Sequence, residues 1–469
     1  MIRSTILAMG ALIVVGGAFA ARVSGTSTGA QFPVYAGETP TLPSVPYAYE
    51  DIGLPDYLDV HEIRQWDTTP ADNPITDAGA TLGRVLFYDV RLSLNQTVSC
   101  ATCHRQEHGF SDPGRVSAGF EGRHTTRNSM ALAFARFDRN RQFFWDERAQ
   151  TLEALALEPI QDPIEMGMTL DELTARLAST AFYPALFDDA FGTPEVKPDR
   201  VSRALAQFIR SIVASNSRYD AARQAQGGAP GRPLASLTEQ ENRGLELFFG
   251  PGRCEQCHVG DLFMGKQPTG NGLDSTVTDP GSGNGRFKIV SLRNIGLTAP
   301  YMHDGRFETL EEVVEHYDSG MHASPALDLR LRGRDGQPLR MNFSAEDREA
   351  LVAFLHTLSD TTMATDPRWA NPFATAATDA GPAPLQFDVI GSIPVRGMAT
   401  FRLRVDTPAH VTIDVLRPSG GHVVTLLDGV QRGETRVRWD ASDVPGGRYT
   451  IRVRTGDHVV TRTVTVSDE

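Results

Sequence analysis

The four cysteines of the chain occur in two CxxC pairs, and a histidine directly follows each pair. The six residues are Cys100, Cys103, His104, Cys254, Cys257 and His258. CxxCH is the attachment pattern of c-type haem, in which the thiols add to the haem vinyl groups and the imidazole binds the iron. A zinc site and a redox-active CxxC are the alternatives. Two full copies of the pattern with no cysteine left over favour two covalently bound haems.

The first 20 residues have the pattern of a secretory signal peptide. Arg3 precedes an apolar run, and Ala18-Phe19-Ala20 fits the small-x-small cleavage rule. A membrane anchor is the alternative, but the run is short for a span of about 20 residues. No second stretch is long enough to span a bilayer. The sequence therefore predicts an exported protein, periplasmic or associated with the cell surface, without an integral membrane span.

Length and charge restrict the architecture and the partners. The chain has 469 residues and a formal net charge of −13, which suggests two to four domains and argues against nucleic acid as the main partner. Residues 385–469 contain 11 Arg, no Lys and 10 Asp plus Glu. The negative excess therefore lies in the haem-bearing part, where it would attract a cationic redox partner.

A repeated phrase precedes the two haem motifs. Residues 83–87 and 244–248 both read GxxLF on a predicted amphipathic helix, which indicates two cytochrome-like units. Thr238 with Glu241, and Thr309 with Glu312, form capping boxes that predict helix starts. The predicted order is signal peptide 1–20, extended lead-in 21–75, first haem domain 76–225, second haem domain 236–362, linker 363–384 and β module 385–469.

The C-terminal 85 residues have a different pattern. About seven short runs of alternating polarity, among them 400–405 and 410–416, are separated by Gly/Pro-rich turns. This pattern predicts a small antiparallel immunoglobulin-like sandwich. The predicted fold class is mainly α, with two cytochrome c-like haem domains followed by this all-β module.

Residues from about 45 to 360 resemble the bacterial di-haem cytochrome c peroxidases and their MauG-type relatives. The phrases that support this resemblance occur in the family order. They are VSCATCH at 98–104, RNS at 127–129, FWDER at 144–148, PIEMG at 163–167 and APYMHDG at 299–305. The tail from Leu385 resembles the immunoglobulin-like or sorting-type modules of secreted bacterial proteins, a less specific match.

The resemblance implies a division of labour between the two haems. H2O2 would be reduced at the first haem, whose proximal ligand is His104. Electrons from a small donor, a cytochrome c or a cupredoxin, would enter at the second haem, whose proximal ligand is His258. A homodimer, and a surface or sorting partner for the C-terminal module, remain open.

Two catalytic residues follow from the same resemblance. Glu165 matches the distal glutamate that moves a proton between the peroxide oxygens, a task suited to a carboxylate whose pKa is raised by burial. A surface carboxylate at a helix start is the alternative. Trp145 matches the tryptophan between the haems, with a core aromatic as the alternative. Leu155 occupies a position where many relatives have glutamine, which removes a polar distal neighbour.

The resemblance also implies sites for a calcium ion and a haem propionate. Asn128, Thr298 and Pro300 match positions that hold calcium between the haem domains, and oxygen ligands of this kind suit that ion. A turn-capping role is the alternative for Asn128. His303 lies near the second haem by analogy and is expected to contact its propionate.

The distal ligands of the two irons are the least determined part of the sequence. Glu121 stands where switching relatives place a histidine, and His108 and His124 read as surface histidines. The first haem is therefore expected to have an open or water-held position and to need no reductive activation. For the second haem, Tyr317 matches the ligand position, with Met321 and His316 as alternatives.

Three functions are consistent with these residues. The first is a peroxidase that takes two electrons from a reduced small protein. The second is a MauG-type enzyme that oxidises a protein side chain at a distance, for which Tyr317 is the supporting feature. The third is a non-enzymatic di-haem electron carrier, which would need neither Glu165 nor Trp145.

Overall fold

The computed structural model describes residues 39–373, 385–390, 395, 397–417, 422–455 and 458–467. The predicted signal peptide 1–20 lies outside the described residues. The chain divides into two compact units, one formed by Val45–Asn371 and the other by Pro372–Glu469 together with Thr39–Ser44. The first unit contains both CxxCH motifs. Among the described residues, no helix is long and apolar enough to cross a membrane.

The first unit is helical, as the sequence predicts. Its helices are α1 (His61–Arg64), α2 (Asp77–Tyr88), α3 (Cys100–Cys103), α4 (Leu152–Gln161), α5 (Leu170–Ala178), α6 (Tyr183–Phe191), α7 (Pro198–Ser211), α8 (Arg218–Gln226), α9 (Glu239–Phe249), α10 (Leu310–Glu315) and α11 (Ala345–Thr357). The capping boxes predicted at Thr238 and Thr309 are present, and they open α9 and α10. Local side-chain chemistry therefore sets these helix starts.

The two GxxLF phrases have the same structural role. Each lies on the helix before a haem motif, and each glycine abuts a later helix: α2 meets α7, and α9 meets α11. A Cβ added at Gly83 would come within 2.0 Å of the Ala204 carbonyl oxygen, and one at Gly244 within 1.9 Å of the Ala350 carbonyl oxygen. The glycines are needed because the helix backbones approach closely, and the shared crossing supports a duplicated unit.

The segments at two of the predicted boundaries pack against the haem-bearing part of the chain. The predicted lead-in 21–75 packs into the first unit from Tyr49 onwards, since Tyr49 and Leu58 are fully buried. The predicted first haem domain, 76–225, would include most of α8. Tyr219 on α8 instead packs against Phe263 and Phe354 of the second haem domain, with ring centroids 5.2 and 6.0 Å apart.

The first part of the predicted linker 363–384 also packs against the haem-bearing part of the chain. Met363 and Trp369 are buried, and the segment returns to α2 of the first haem domain. There the Tyr88 hydroxyl donates to the Trp369 carbonyl oxygen at 2.6 Å. Arg84 donates to the Pro367 carbonyl oxygen at 2.9 Å. Residues 374–384 of the predicted linker lie outside the described residues.

The second unit is a five-stranded antiparallel sheet. Its strands are β1 (Leu385–Ile390), β2 (Met398–Leu416), β3 (His422–Asp440), β4 (Gly447–Thr455) and β5 (His458–Val466). β2 pairs with β3 along one edge and with β1 and then β4 along the other, while β5 pairs with β4. The buried side chains of β2, such as Phe401, Leu403 and Ile413, belong to the core of this unit.

The expected count of about seven strands is too high for the described residues, because β2 is continuous where the pattern predicted two strands. β2 joins the runs 400–405 and 410–416, and its pairing with β3 shifts register between Val405 and Ala409. Pro408 lies within this shift, where a bulge tolerates a residue that has no N–H. The prediction treated the polar residues at the shift as a turn. The two-sheet immunoglobulin-like arrangement remains a prediction.

Candidate haem and peroxide sites

The two CxxCH motifs position their histidines in the same way. His104 Nδ1 donates to the Phe110 carbonyl oxygen at 3.0 Å, and His258 Nδ1 donates to the Phe263 carbonyl oxygen at 3.1 Å. This hydrogen bond fixes the tautomer and leaves Nε2 as the ligand atom. Burial lowers the pKa of His104, and it lowers that of His258 to about 4. Both imidazoles are therefore neutral, as an iron ligand must be.

The four thiols have the properties of attachment points and not of a redox pair. None of the four forms a disulfide. Burial raises the pKa of the Cys100, Cys103 and Cys254 thiols to about 12 and also raises that of Cys257. A redox-active CxxC requires the opposite shift. Within the described part of the chain, no cluster of three His, Cys, Asp or Glu could hold a metal ion.

Glu165 lies beside the first haem motif. Its carboxylate interacts electrostatically with the thiols of both Cys100 and Cys103. Burial, and next the nearby Asp162 carboxylate, raise the pKa of Glu165 to about 7. Among residues 39–373 the carboxylate has no hydrogen-bond or ion-pair partner. The group can therefore exchange a proton near neutral pH with a molecule that enters the site.

Backbone contacts hold the turn that presents Glu165. The Phe120 amide donates to the Glu165 carbonyl oxygen at 2.9 Å. A Cβ at Gly119 would come within 1.6 Å of the Ile164 carbonyl oxygen, so only glycine fits there. In the same loop Glu121 and His124 are exposed.

A cavity of about 250 Å³ lies at the second haem motif. It brings together predicted site residues from distant parts of the sequence. They are Cys254, Cys257, His258, Trp145, His303 and Tyr317. Most of the other lining side chains are apolar, including Leu292, Val314 and Leu355. A largely apolar cavity with an imidazole and two thiols in its wall suits a planar apolar group such as haem.

Of the three candidates for the distal ligand of the second haem, only Tyr317 lines this cavity. Its phenol interacts electrostatically with the thiols of Cys254 and Cys257, and burial raises its pKa to about 12. Met321 is buried in a cluster with Leu327 and Leu331, against which Tyr317 also packs. His316 Nε2 donates to the Asn271 carbonyl oxygen at 3.1 Å. The structure therefore favours Tyr317 among the three.

Trp145 is fixed by the backbone of both haem domains. Its indole Nε1 donates to the Asn128 carbonyl oxygen at 2.9 Å, and the Lys288 amide donates to the Trp145 carbonyl oxygen at 2.9 Å. The Asn128 amide in turn donates to the His303 carbonyl oxygen at 2.8 Å. Trp145 thus lies where the first haem domain meets the wall of the second haem cavity.

The remaining predicted residues also meet at this wall. Asn128, Thr298 and Pro300 line the same cavity, and Asn128 Nδ2 donates to the carbonyl oxygens of Gly114 and Arg115. This leaves the Asn128 Oδ1 atom as an oxygen ligand, but the calcium site remains a prediction. The His303 ring stacks on Phe287 with centroids 3.6 Å apart.

Sequence reasoning missed two residues of the site. Arg127 bridges the haem domains through ion pairs to Asp146 at 2.7 Å and Asp279 at 2.8 Å. Its place in the RNS phrase was the available signal. Asn271 lines the same cavity as Tyr317, and its carbonyl oxygen accepts a hydrogen bond from His316 Nε2 at 3.1 Å. Its position between Gly270 and Gly272 was the available signal.

Comparison with known proteins gives the family. Residues 77–227 match the family model for di-haem cytochrome c peroxidase. The chain is 35% identical over 302 residues to the methylamine utilization protein MauG of Methylorubrum extorquens, which covers 62% of this chain and 80% of that protein. The chain belongs to the di-haem cytochrome c peroxidase family. The sequence-based family assignment is confirmed.

Two further relatives agree. A cytochrome c551 peroxidase of Nitrosomonas europaea is 33% identical to this chain over 294 residues. The aligned region covers 60% of this chain and 79% of the relative. A crystal structure of a MauG-like protein associated with microbial copper homeostasis is 32% identical, with a TM-score of 0.59. The aligned region covers 67% of this chain and 99% of the chain in that crystal structure. The peroxidase is therefore an oxidoreductase with two haem c groups, and the non-enzymatic carrier is excluded.

Proposed function

We propose that the peroxidase reduces H2O2 to two water molecules with two protons and two electrons from a small reduced cytochrome c or cupredoxin. Peroxide reacts near the first haem motif, and the donor docks near the second. The observation that carries this proposal is the half-buried Glu165 carboxyl beside Cys100 and Cys103, with a pKa raised to about 7. Electron transfer alone requires no such group.

The residues of each motif fit a covalent haem. Two thiols attach the group, and an imidazole with its Nε2 free binds the iron. When bound, haem supplies an iron that binds peroxide and exchanges electrons. The role of the chain is to anchor this group, keep each imidazole neutral and exclude water from the apolar cavity.

Glu165 acts on the protons of the peroxide. As the carboxylate it accepts the proton of the oxygen nearer the iron, and as the acid it returns that proton to the far oxygen, which leaves as water. The second water takes up the remaining protons. A pKa of about 7 suits both halves of this transfer, because neither form of the carboxyl is strongly disfavoured. Leu155 supplies no polar neighbour, so Glu165 performs the transfer alone.

Trp145 provides the contact between the two sites. Its indole lines the second haem cavity, while its own chain segment belongs to the first haem domain. Its hydrogen bond to Asn128 holds the ring in one orientation. An ordered aromatic at this place shortens the gaps that an electron must cross.

A MauG-type oxidation of a protein side chain is the second candidate function. The position of Tyr317 in the cavity wall supports it, because a phenolate ligand favours oxidised iron. The two functions differ in what H2O2 does to the resting protein without a donor. An oxidised state that decays within seconds indicates the peroxidase, whereas one that persists until a protein substrate is added indicates the second function.

The direct test is turnover with a reduced donor. The holoprotein is mixed with H2O2 and a reduced small cytochrome c, and donor oxidation is followed by absorbance. We expect turnover in the wild type and its loss in Glu165→Gln. Absence of turnover in the wild type, or an unchanged rate in the variant, contradicts the proposal.

The remaining assignments are proposals of the same kind. They are export to the periplasm or cell surface, a calcium ion at Asn128, Thr298 and Pro300, an open first haem that needs no reductive activation, and an immunoglobulin-like tethering or sorting role for residues 385–469. A homodimer also remains a proposal. Metal analysis of the purified holoprotein before and after chelation tests the calcium ion.

A further inference from the structure

An exposed leucine lies on the surface next to the second haem motif. Leu329 is 80% exposed, the highest value among the large apolar side chains that the structure describes. It begins a short 3-10 helix, Leu329–Leu331, whose other end is buried and lines the haem cavity. A single exposed leucine is ordinary by itself, so its neighbours decide what it means.

Hydrogen bonds tie this 3-10 helix to the second CxxC pair. Arg330 Nη1 donates to the carbonyl oxygen of Gln256, between the two cysteines, at 2.6 Å. Arg253, directly before Cys254, donates to the Arg330 carbonyl oxygen at 3.4 Å. Leu329 therefore projects into solvent beside the thiols that attach the haem.

The haem cavity reaches the surface at the same place. Arg253 lines the cavity and is also exposed, and Met341 and Phe343 line it and are half-buried. The two cysteines hold one edge of a c-type haem through its vinyl groups, so that edge lies close to this opening. Because electron transfer weakens steeply with distance, a donor protein must approach the haem at such an edge.

The surface around the opening is rich in arginine. Its two segments, 251–258 and 328–343, together contain five Arg, two Asp and one Glu, and no Lys. Asp328 is already paired with Arg330 at 2.8 Å, and Glu255 is half-buried. The positive charges therefore outnumber the carboxylates, and the surface is basic.

Three of these arginines are available to a partner. Arg253, Arg334 and Arg340 are exposed, and among residues 39–373 none of the three has a carboxylate partner. Arg253 and Arg340 donate to the backbone carbonyl oxygens of Arg330 and Ser319. These contacts orient two of the side chains without neutralising their charge.

The charge of this surface is opposite in sign to that of the whole chain. The net charge of −13 predicts attraction of a cationic partner at long range. At physiological ionic strength, however, exposed charges are screened over about 8 Å. The side chains at the contact therefore decide which protein binds there, and an anionic contact face fits this surface better than a cationic one.

We propose that Leu329 and the arginines around it form the docking surface for the electron donor, and that this surface selects a donor with an acidic contact face. The inference rests on the proposed function, in which a small protein reduces the second haem. Leu329 packs against an apolar area over the donor's own redox centre, while Arg253, Arg334 and Arg340 face carboxylates at the rim. The apolar centre brings the two redox groups close together, and the charged rim orients them.

The test measures binding between two oxidised proteins, so that no turnover occurs. The full-length holoprotein is titrated with a small cytochrome c whose haem edge is surrounded by lysines, and with the same cytochrome after succinylation, which makes those side chains negative. Calorimetry gives Kd at several salt concentrations. The variants are Arg253→Glu, Leu329→Ala and the control Lys197→Glu. Lys197 is exposed and lies directly before α7 in the first haem domain, and its substitution changes the net charge by the same amount as Arg253→Glu.

We expect the succinylated cytochrome to bind more tightly than the unmodified one, with an affinity that falls as salt is added. Arg253→Glu should weaken this binding about fivefold or more, because a repulsion replaces an attraction at the contact. Leu329→Ala should weaken it about threefold or more at every salt concentration, since it removes apolar contact area. Lys197→Glu should match the wild type. If Arg253→Glu does not retain two haems, Arg253→Gln decides.

Failure of the docking surface is distinguishable from failure of the proposed function. The surface is overturned if the unmodified cytochrome binds more tightly, if the succinylated one does not bind, or if Leu329→Ala binds it as the wild type does. Equal losses in Arg253→Glu and Lys197→Glu also overturn it, because the effect would then come from net charge. In each case the peroxidase function stands if the holoprotein and H2O2 oxidise either cytochrome in its reduced form. If they oxidise neither, the proposed function itself fails.

Discussion

At the scale of single residues, burial shifts the pKa values of the histidines and of Glu165 in opposite directions. Burial at His104 and His258 keeps imidazoles neutral, as iron ligands require. Burial at Glu165 instead brings a carboxyl to a pKa of about 7. The same desolvation thus provides ligands in one place and a proton-transfer group in another.

Glu165→Gln removes the proton-transfer group without changing the shape of the side chain. We expect the turnover rate with H2O2 to fall by about 10²-fold or more, the usual contribution of such a group. Steady-state kinetics with a reduced cytochrome measure this loss. Glu121→Gln is the matched control, because Glu121 lies in the adjoining loop and is exposed. An equal loss in both variants would point to a general charge effect.

The pH dependence of the rate tests the same residue. Because the carboxylate form accepts the first proton and the pKa of Glu165 is raised to about 7, kcat/KM for H2O2 should rise with pH and reach half its plateau near pH 7. The rise should be absent in Glu165→Gln. A profile that is flat in the wild type, or identical in the two proteins, would contradict the assignment.

Trp145→Phe tests the contact between the two sites. The substitution keeps an aromatic ring but removes the Nε1 donor, leaving the Asn128 carbonyl oxygen unpaired. We expect slower electron transfer from the second haem to the first, measured by stopped-flow absorbance after mixing with a reduced donor. Trp66→Phe is the control, since Trp66 is not part of the site. Equal rates in wild type and Trp145→Phe would exclude the role.

At the scale of elements, the duplicated helix crossing is the main support of each haem motif. Gly244→Ala would place a Cβ within 1.9 Å of the Ala350 carbonyl oxygen. We expect the free energy of unfolding of the first unit to fall by about 1–3 kcal/mol, followed by haem absorbance in denaturant. Gly320→Ala is the control, because its Cβ would have its nearest neighbour at an ordinary 3.6 Å. Equal midpoints for both variants would show that the crossing adapts.

The sequence predicted the elements whose signals are local. The CxxCH motifs and the capping boxes at Thr238 and Thr309 depend on residues within a few positions of one another, so they could be read directly. The placement of α8 could not be predicted in this way, because it depends on the packing of Tyr219 against Phe263 and Phe354, which are distant in the sequence. The sequence did not predict that β2 is continuous, because the residues at its register shift between Val405 and Ala409 have a composition that also fits a turn.

The same limit applies to the site. Family motifs located Glu165, Trp145 and Tyr317, and the structure places them at the haem motifs. The hydrogen bond between Asn271 and His316 spans 45 positions and has no motif of its own. Such a pair is visible only when the segment around Asn271 has been folded against the residues that follow α10.

At the scale of the whole molecule, the segment after α11 belongs to the haem-bearing unit. Gln106, two residues after His104, donates to the carbonyl oxygens of Met363 and Asp366 at 2.8 and 2.9 Å. A chain that ends at Phe373 should therefore keep both haems and full turnover, whereas one that ends at Thr361 should lose stability and first-site activity. Haem content and denaturation midpoints measure the difference. Loss of activity in the longer chain would assign a catalytic role to the β module.

The central claim is that electrons from a small protein donor reduce H2O2 at this pair of haems. Its most direct test is the stoichiometry of turnover, measured as reduced cytochrome c oxidised for each H2O2 added to the holoprotein. Two donors oxidised per H2O2, in repeated cycles and with loss of turnover in Glu165→Gln, is the predicted result. A single partial oxidation without further turnover, or turnover unaffected by that substitution, would contradict it.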